Sequence, residues 1–163
     1  MDLKQFLELF NPYPGNNYLQ VTTEVNEISD AIYKLMQGVD GVFNLVHYSE
    51  DKIDLATRFP DANIQYIQNF QQPFRALPRT NDIVIFTELF HKHGNQKGIL
   101  KIAYTTLANA AEVVIMQKKG TMDIEATLNI LEEFEFRSQN YIDLLPEYDL
   151  VMAKKLHMWG NGL

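Results

Sequence analysis

Apolar positions along this chain switch between two periods. At Leu3, Phe6, Leu7 and Phe10 they recur at helical spacing, which predicts a short helix over residues 2–10. Residues 11–17 hold Pro12, Pro14 and Gly15 and read as a loop. A first strand is expected over 18–21, then a helix with the stripe Ile28, Ala31, Ile32, Leu35 and Met36. Asn26 is placed to cap that helix, and Gly38 to stop it. The segment 42–47 is apolar enough for a parallel strand buried on both faces. After it Ser49, Glu50 and Asp51 suit the start of a helix running to Pro60. A third strand at 64–68 leads into a polar crossover with Pro73 and Pro78, and Asp82-Ile-Val-Ile-Phe86 forms a fourth. The remaining pattern predicts a helix at 96–107, a strand at 112–116 and a helix at 123–133. A closing hairpin is expected from 134–141 and 148–155, joined by Leu-Leu-Pro-Glu.

Strands alternating with helices imply an α/β domain: a three-layer, Rossmann-like arrangement around a mostly parallel sheet with right-handed crossovers. The C-terminal hairpin adds the antiparallel strand. One domain is expected over 1–163: an N-terminal helix and loop at 1–15, a core at 18–155 and a tail at 156–163. Ligands of such sheets sit at the carboxyl ends of the strands, near the point where strand order reverses. The end of strand one, His47, Asn69 and residues 87–93 should therefore meet at one cleft.

Composition narrows the chemistry. Of 163 residues 46% are apolar and 21% charged, a globular balance. A net charge of −7 gives no basic footprint for nucleic acid, and the pairs Lys118-Lys119 and Lys154-Lys155 are too isolated to make one. Without cysteine there is no disulfide, thiolate metal site or catalytic thiol. No apolar run reaches membrane-spanning length and no signal-peptide pattern opens the chain, so a cytoplasmic protein with no membrane partner is expected.

Three stretches carry a resemblance to a known family. Tyr18-Leu-Gln-Val-Thr-Thr-Glu-Val-Asn-Glu-Ile-Ser-Asp-Ala-Ile is similar to a strand, glycine-rich turn and helix. The segment from Val46 to Ile64, with Ser49 and Leu55-Ala-Thr-Arg58, resembles the second-strand region. Asn81-Asp-Ile-Val-Ile and Leu-Leu-Pro-Glu-Tyr-Asp-Leu-Val-Met-Ala resemble the fourth strand and the closing hairpin. In this order they resemble the class I S-adenosylmethionine-dependent methyltransferases, over nearly the whole chain after Asn16.

The resemblance implies a cofactor site whose chemistry is altered here. Gln20 stands where that family carries an acid ending strand one, and Thr22, Glu24 and Asn26 stand at its three glycine positions. There the side chains would project toward the space of the cofactor's amino-acid moiety and ribose, and Glu24 would set a negative charge near a carboxylate. His47 replaces the ribose-binding acid, and Asn69 the adenine-side Asp, with Phe70 beside it to stack on a base. The implied cofactor-binding set is Thr22, Thr23, Glu24, Asn26, His47, Asn69, Phe70 and Thr87. The reading is a methyltransferase-like domain with a degraded S-adenosylmethionine site, non-catalytic or holding an altered small ligand. The alternative is an active methyltransferase with a rebuilt cofactor loop and an unassigned acceptor.

Other chemistry is thinner. His91 and His93, with Glu88 before them, have a spacing that extended chain can use for a metal, but no strict ligand signature accompanies it, and no metal is expected. No Gly-x-Ser-x-Gly elbow, P-loop or Asn-Pro-Pro-Tyr-like motif is present, and no catalytic residue is assigned. Apolar residues at both ends, including Met158 and Trp159, leave a second copy of the chain open as a partner.

Overall fold

A computed structural model describes residues 1–156; Met158 and Trp159 lie outside them. Seven strands form one sheet: β1 (Asn17–Thr22), β2 (Val42–Tyr48), β3 (Asn63–Ile67), β4 (Asn81–Thr87), β5 (Leu107–Lys118), β6 (Arg137–Leu145) and β7 (Tyr148–Lys154). Their order is β3-β2-β1-β4-β5-β7-β6, with β7 antiparallel to both its neighbours and the pairs among β1 to β5 all parallel. Strand order reverses between β1 and β4, so the switch point lies at the carboxyl ends of those two strands.

Four helices cover the sheet. On one face α1 (Lys4–Glu8) and α2 (Glu27–Gln37) bury Phe6, Ile28, Ile32 and Met36 against Leu45, Ile83, Ile85 and Val114. On the other, α3 (Gln96–Thr106) and α4 (Ile124–Glu133) press Ile99, Leu100, Ala103 and Leu131 onto Val84, Phe86, Val113 and Ile115. Each such buried Leu, Ile, Val, Met or Phe side chain is worth about 1.5–3 kcal/mol, so these two apolar layers dominate the stability of the fold. The cap expected at Asn26 is in place, and Asp123, read as the first residue of its helix, also serves as a cap. Asn26 Oδ1 accepts from the Ile28 amide at 3.0 Å, and Asp123 Oδ1 from Ala126 at 3.1 Å.

The helix expected between strands two and three does not form. Residues 49–62 cross from β2 to β3 in turns. Ser49 Oγ takes the Asp51 amide at 3.1 Å and Asp54 Oδ1 the Ala56 amide at 3.0 Å, local bonds that compete with a helical ladder. Leu55 and Phe59 are the anchors: Phe59 packs edge-on to Phe43 and Tyr33, at 5.5 and 5.1 Å between ring centroids. Strand five is longer than the expected 112–116: it follows α3 directly, and its pairing with β4 slips between Asn81 and Ile83. The N-terminal helix is shorter than 2–10, with Phe10 beyond it stacked edge-on to Tyr18 at 5.8 Å. Among the described residues no helix is long and apolar enough to cross a membrane.

Candidate functional site

Strand register brings the candidate residues to one end of the sheet. Tyr66, His47, Thr22, Thr87 and Met116 are successive cross-strand partners at the carboxyl ends of β3, β2, β1, β4 and β5. This row spans the switch point, where an open α/β sheet holds its ligands.

The turn after β1 is closed by its own side chains. Thr22 is fully buried, and its hydroxyl accepts from the Glu24 amide at 2.9 Å. The same oxygen lies 2.8 Å from the Glu24 carbonyl and 2.9 Å from the Thr87 carbonyl, either of which can take its proton. Thr23 donates to the Glu88 carbonyl at 2.6 Å, tying the turn to the end of β4. Asn26 spends its side-chain oxygen on the cap of α2, and its own amide faces Ser29 Oγ at 3.4 Å in a capping box. A helix start capped in this way presents fewer free N–H groups than a bare glycine turn. The carboxylate of Glu24 is directed at Lys118 Nζ, 3.1 Å away at the end of β5.

Beneath the turn, Gln20 Nε2 donates to Thr87 Oγ1 at 2.9 Å, while Gln20 Oε1 has no hydrogen-bond partner. The second orphan is Nδ1 of His47, whose side chain is only 3% exposed. Burial holds the His47 imidazole below its usual pKa, with the nearby Thr23 backbone acting in the opposite direction, so the ring is neutral at pH 7. Beside it lies a cavity of about 460 Å³, walled by His47, Ser49, Lys52, Gln68, Asn69 and Gln72 among others.

The eight expected cofactor residues therefore separate. His47 and Asn69 border the cavity; Thr22, Thr23, Glu24 and Asn26 shape the turn; Thr87 is buried under it. Phe70 is half-buried, edge-on to Tyr48 at 5.9 Å, and is not among the residues walling that cavity. Ser49 is expected from sequence only as a helix starter and Lys52 not at all, because 49–60 reads as a helix rather than a cavity wall; Gln72 falls in the polar crossover after β3.

His91 and His93 part company as well. His93 is buried: Nδ1 accepts from the Asn95 amide at 2.8 Å, which puts the proton on Nε2, 3.1 Å from the Gln72 carbonyl. Both nitrogens are engaged in fixing the β3–β4 crossover. His91 stands 4.0 Å from Glu88 and borders a separate cavity of about 280 Å³ lined also by Gln117, Thr121 and Asp123. Glu88 adopts a left-handed backbone at φ 53°, and its buried carboxylate accepts from the Lys118 amide with Lys92 Nζ at 3.5 Å. Among the described residues no group of three or more His, Asp or Glu could hold a metal ion.

Solved structures place this architecture. A SAM dependent methyltransferase from Aquifex aeolicus superposes with a TM-score of 0.76 at 17% identity, covering 95% of this chain and 90% of that one. The phosphoethanolamine N-methyltransferase 2 of Haemonchus contortus, in complex with S-adenosyl-L-methionine, gives 0.73 at 9% identity. The CurJ carbon methyltransferase gives 0.71 at 11%. Each of these last two alignments covers 93% of this chain and 51% of the other, so the chain spans about half their length. The chain has the class I methyltransferase fold. At these identities the likeness is one of fold. No family model and no curated protein matches the sequence.

Proposed function

We propose that this methyltransferase-fold domain binds a small nucleoside-class ligand through the end of β2 and the β3–β4 crossover, and that it does not catalyse methyl transfer. One contrast carries the reading. The turn that would face the cofactor's amino-acid moiety is closed on itself through Thr22 and Thr23, whereas a cavity persists beside His47 and Asn69. The resembled family sets its nucleoside against that second region. Buried and unpaired, His47 Nδ1 costs about 1–3 kcal/mol, which a turn of the ring toward a ligand hydroxyl in the cavity would recover. The amide oxygen of Asn69 accepts from Gln71 N at 2.9 Å and retains capacity for an exocyclic amine.

A second reading has its own support. Glu24 is neutralised by Lys118, so it does not present a bare charge to an incoming carboxylate. That favours an active S-adenosylmethionine-dependent methyltransferase with a rebuilt loop.

A thermal-shift titration with S-adenosylmethionine, S-adenosylhomocysteine and adenosine, followed by calorimetry, separates the two. A ligand that binds only the native state stabilises it by about 2.7 kcal/mol at a hundredfold its dissociation constant, which is readily seen. Adenosine binding with weak or no S-adenosylmethionine binding supports the proposal. Tight S-adenosylmethionine binding supports the enzyme, and no binding by any of the three overturns both. Thr22→Gly with Glu24→Gly is expected to raise affinity for S-adenosylmethionine, because it opens the clasped turn.

A further inference from the structure

A further cavity lies at the other end of the sheet. It encloses about 690 Å³ over the amino-terminal halves of β1, β2 and β3, where the crossover 68–80 runs as an irregular strap instead of a helix. Gln65 holds the strap in place: Nε2 donates to the Arg75 carbonyl and Oε1 accepts the Arg75 amide, both at 2.9 Å. Farther along, the Leu77 carbonyl takes the hydroxyls of Thr80 and Thr106 at 2.8 and 2.7 Å.

The floor of this cavity has a chemistry that packing alone does not require. A row of side-chain amides crosses it: Asn63 Nδ2 donates to Asn44 Oδ1 at 2.9 Å, Asn44 Nδ2 to Asn81 Oδ1 at 3.0 Å, and Asn81 Nδ2 to Thr106 Oγ1 at 2.9 Å. Each amide has two donor hydrogens and two acceptor lone pairs, and this chain of bonds uses only part of them. Asn63 Oδ1 has no hydrogen-bond partner among the described residues. Leu19 and Val46 supply apolar surface beside the row. Arg75 is the one charged residue on the walls, and its guanidinium makes no ion pair or hydrogen bond among the described residues.

We propose that this cavity is a second ligand site and that it takes a sugar phosphate. Hydroxyl groups both donate and accept, which matches the spare capacity of alternating amide N–H and C=O groups; a purely apolar occupant would leave that capacity unused. The planar guanidinium of Arg75 matches a phosphate in a two-pronged contact, and no acidic side chain on the walls opposes it. In a chain of net charge −7 that local absence of acid is what admits an anion. The volume falls within the range of small-molecule sites, about 300–1,000 Å³. Among the described residues only Tyr66 borders both this cavity and the one beside His47, so the two are separate spaces with one common wall.

The test is an NMR titration of the full chain with glucose 6-phosphate, glucose and inorganic phosphate, following the side-chain NH2 signals of Asn44, Asn63 and Asn81. Glucose 6-phosphate is expected to shift all three at lower concentration than either of its parts does alone. Arg75→Gln alters an exposed side chain and keeps the fold; it should weaken the sugar phosphate about tenfold and leave glucose unchanged. Asn63→Asp, isosteric and exposed, should weaken it by repelling the phosphate. Unmoved amides with all three probes overturn the site. Equal effects of inorganic phosphate and glucose 6-phosphate, or displacement by adenosine, overturn the assignment of a polyol to it.

Discussion

Lys118 Nζ stands 3.1 Å from Glu24 Oε1, and the backbone amide of the same lysine donates to the carboxylate of Glu88. One residue at the end of β5 thus engages both acids of the switch point. Glu24 and Lys118 are substantially exposed, so solvent screens the pair and its worth to stability is small. Its consequence is directional: it turns Glu24 toward β5.

Lys118→Ala should therefore leave the unfolding midpoint nearly unchanged while weakening any S-adenosylhomocysteine binding, because Glu24 is left free to repel the ligand carboxylate. Adding Glu24→Gln should restore the affinity. Calorimetry on the single and double variants checks this, and equal affinities in both would rule out electrostatic control by Glu24.

The crossover between β2 and β3 makes a second prediction. Phe59 is 1% exposed within an aromatic cluster, whereas Arg58 and Asp30 form a two-pronged pair at 2.7–2.9 Å with both partners about 40% exposed. Phe59→Ala should cost about 3–5 kcal/mol and Arg58→Ala less than about 1, the latter shrinking further with salt. Urea unfolding at two ionic strengths measures both. A larger loss for Arg58→Ala would mean that the ion pair, rather than the buried ring, holds this segment.

The strands were legible because the buried ones, such as Val42–Tyr48 and Asn81–Thr87, are near-continuous apolar runs. The capped helix after Asn26 was legible because cap, stripe and stop agree. The segment 49–60 was misleading for a physical reason. Ser49, Glu50 and Asp51 are good helix starters, but the same small polar side chains form turns, and only tertiary contacts of Leu55 and Phe59 decide between them. At the site, His47 and Asn69 could be placed from strand ends alone. The packing of Phe70 and the clasp of Thr22 depend on partners far away in sequence, at Tyr48 and Thr87, which no local pattern encodes.

The clasp itself is testable. Thr22→Val keeps the shape and burial of the side chain but removes the oxygen that satisfies the Glu24 amide. Leaving that amide without its partner should cost about 1–3 kcal/mol. Asn26→Ala, which removes the cap of α2, should cost about 1 kcal/mol. Hydrogen exchange distinguishes the two variants. Thr22→Val should deprotect the Glu24 amide, and Asn26→Ala the first turn of α2.

Acid should weaken the fold through three histidines, His47, His93 and the more exposed His91, all held below their ordinary value by burial. Burial holds both His47 and His93 below the ordinary value of 6.5 in the folded chain, although backbone bonds at Thr23 and Gln72 oppose it. Between the folded and unfolded pKa values the unfolded chain binds more protons, so stability rises with pH across that interval. The contribution is fully present above 6.5 and is lost as pH falls through the lowered folded values. His93 has the clearer structural reason: protonating Nδ1 would put a hydrogen where the Asn95 amide already donates. Urea unfolding between neutral pH and pH 5 should show a declining free energy, and His47→Asn or His93→Asn should each flatten part of that slope. A nucleoside bonded to neutral His47 would add to the dependence, because protonation then costs binding as well as folding. Adenosine affinity that falls with acid in the parent, but stays level in His47→Asn, would tie the cavity beside β2 to this ring.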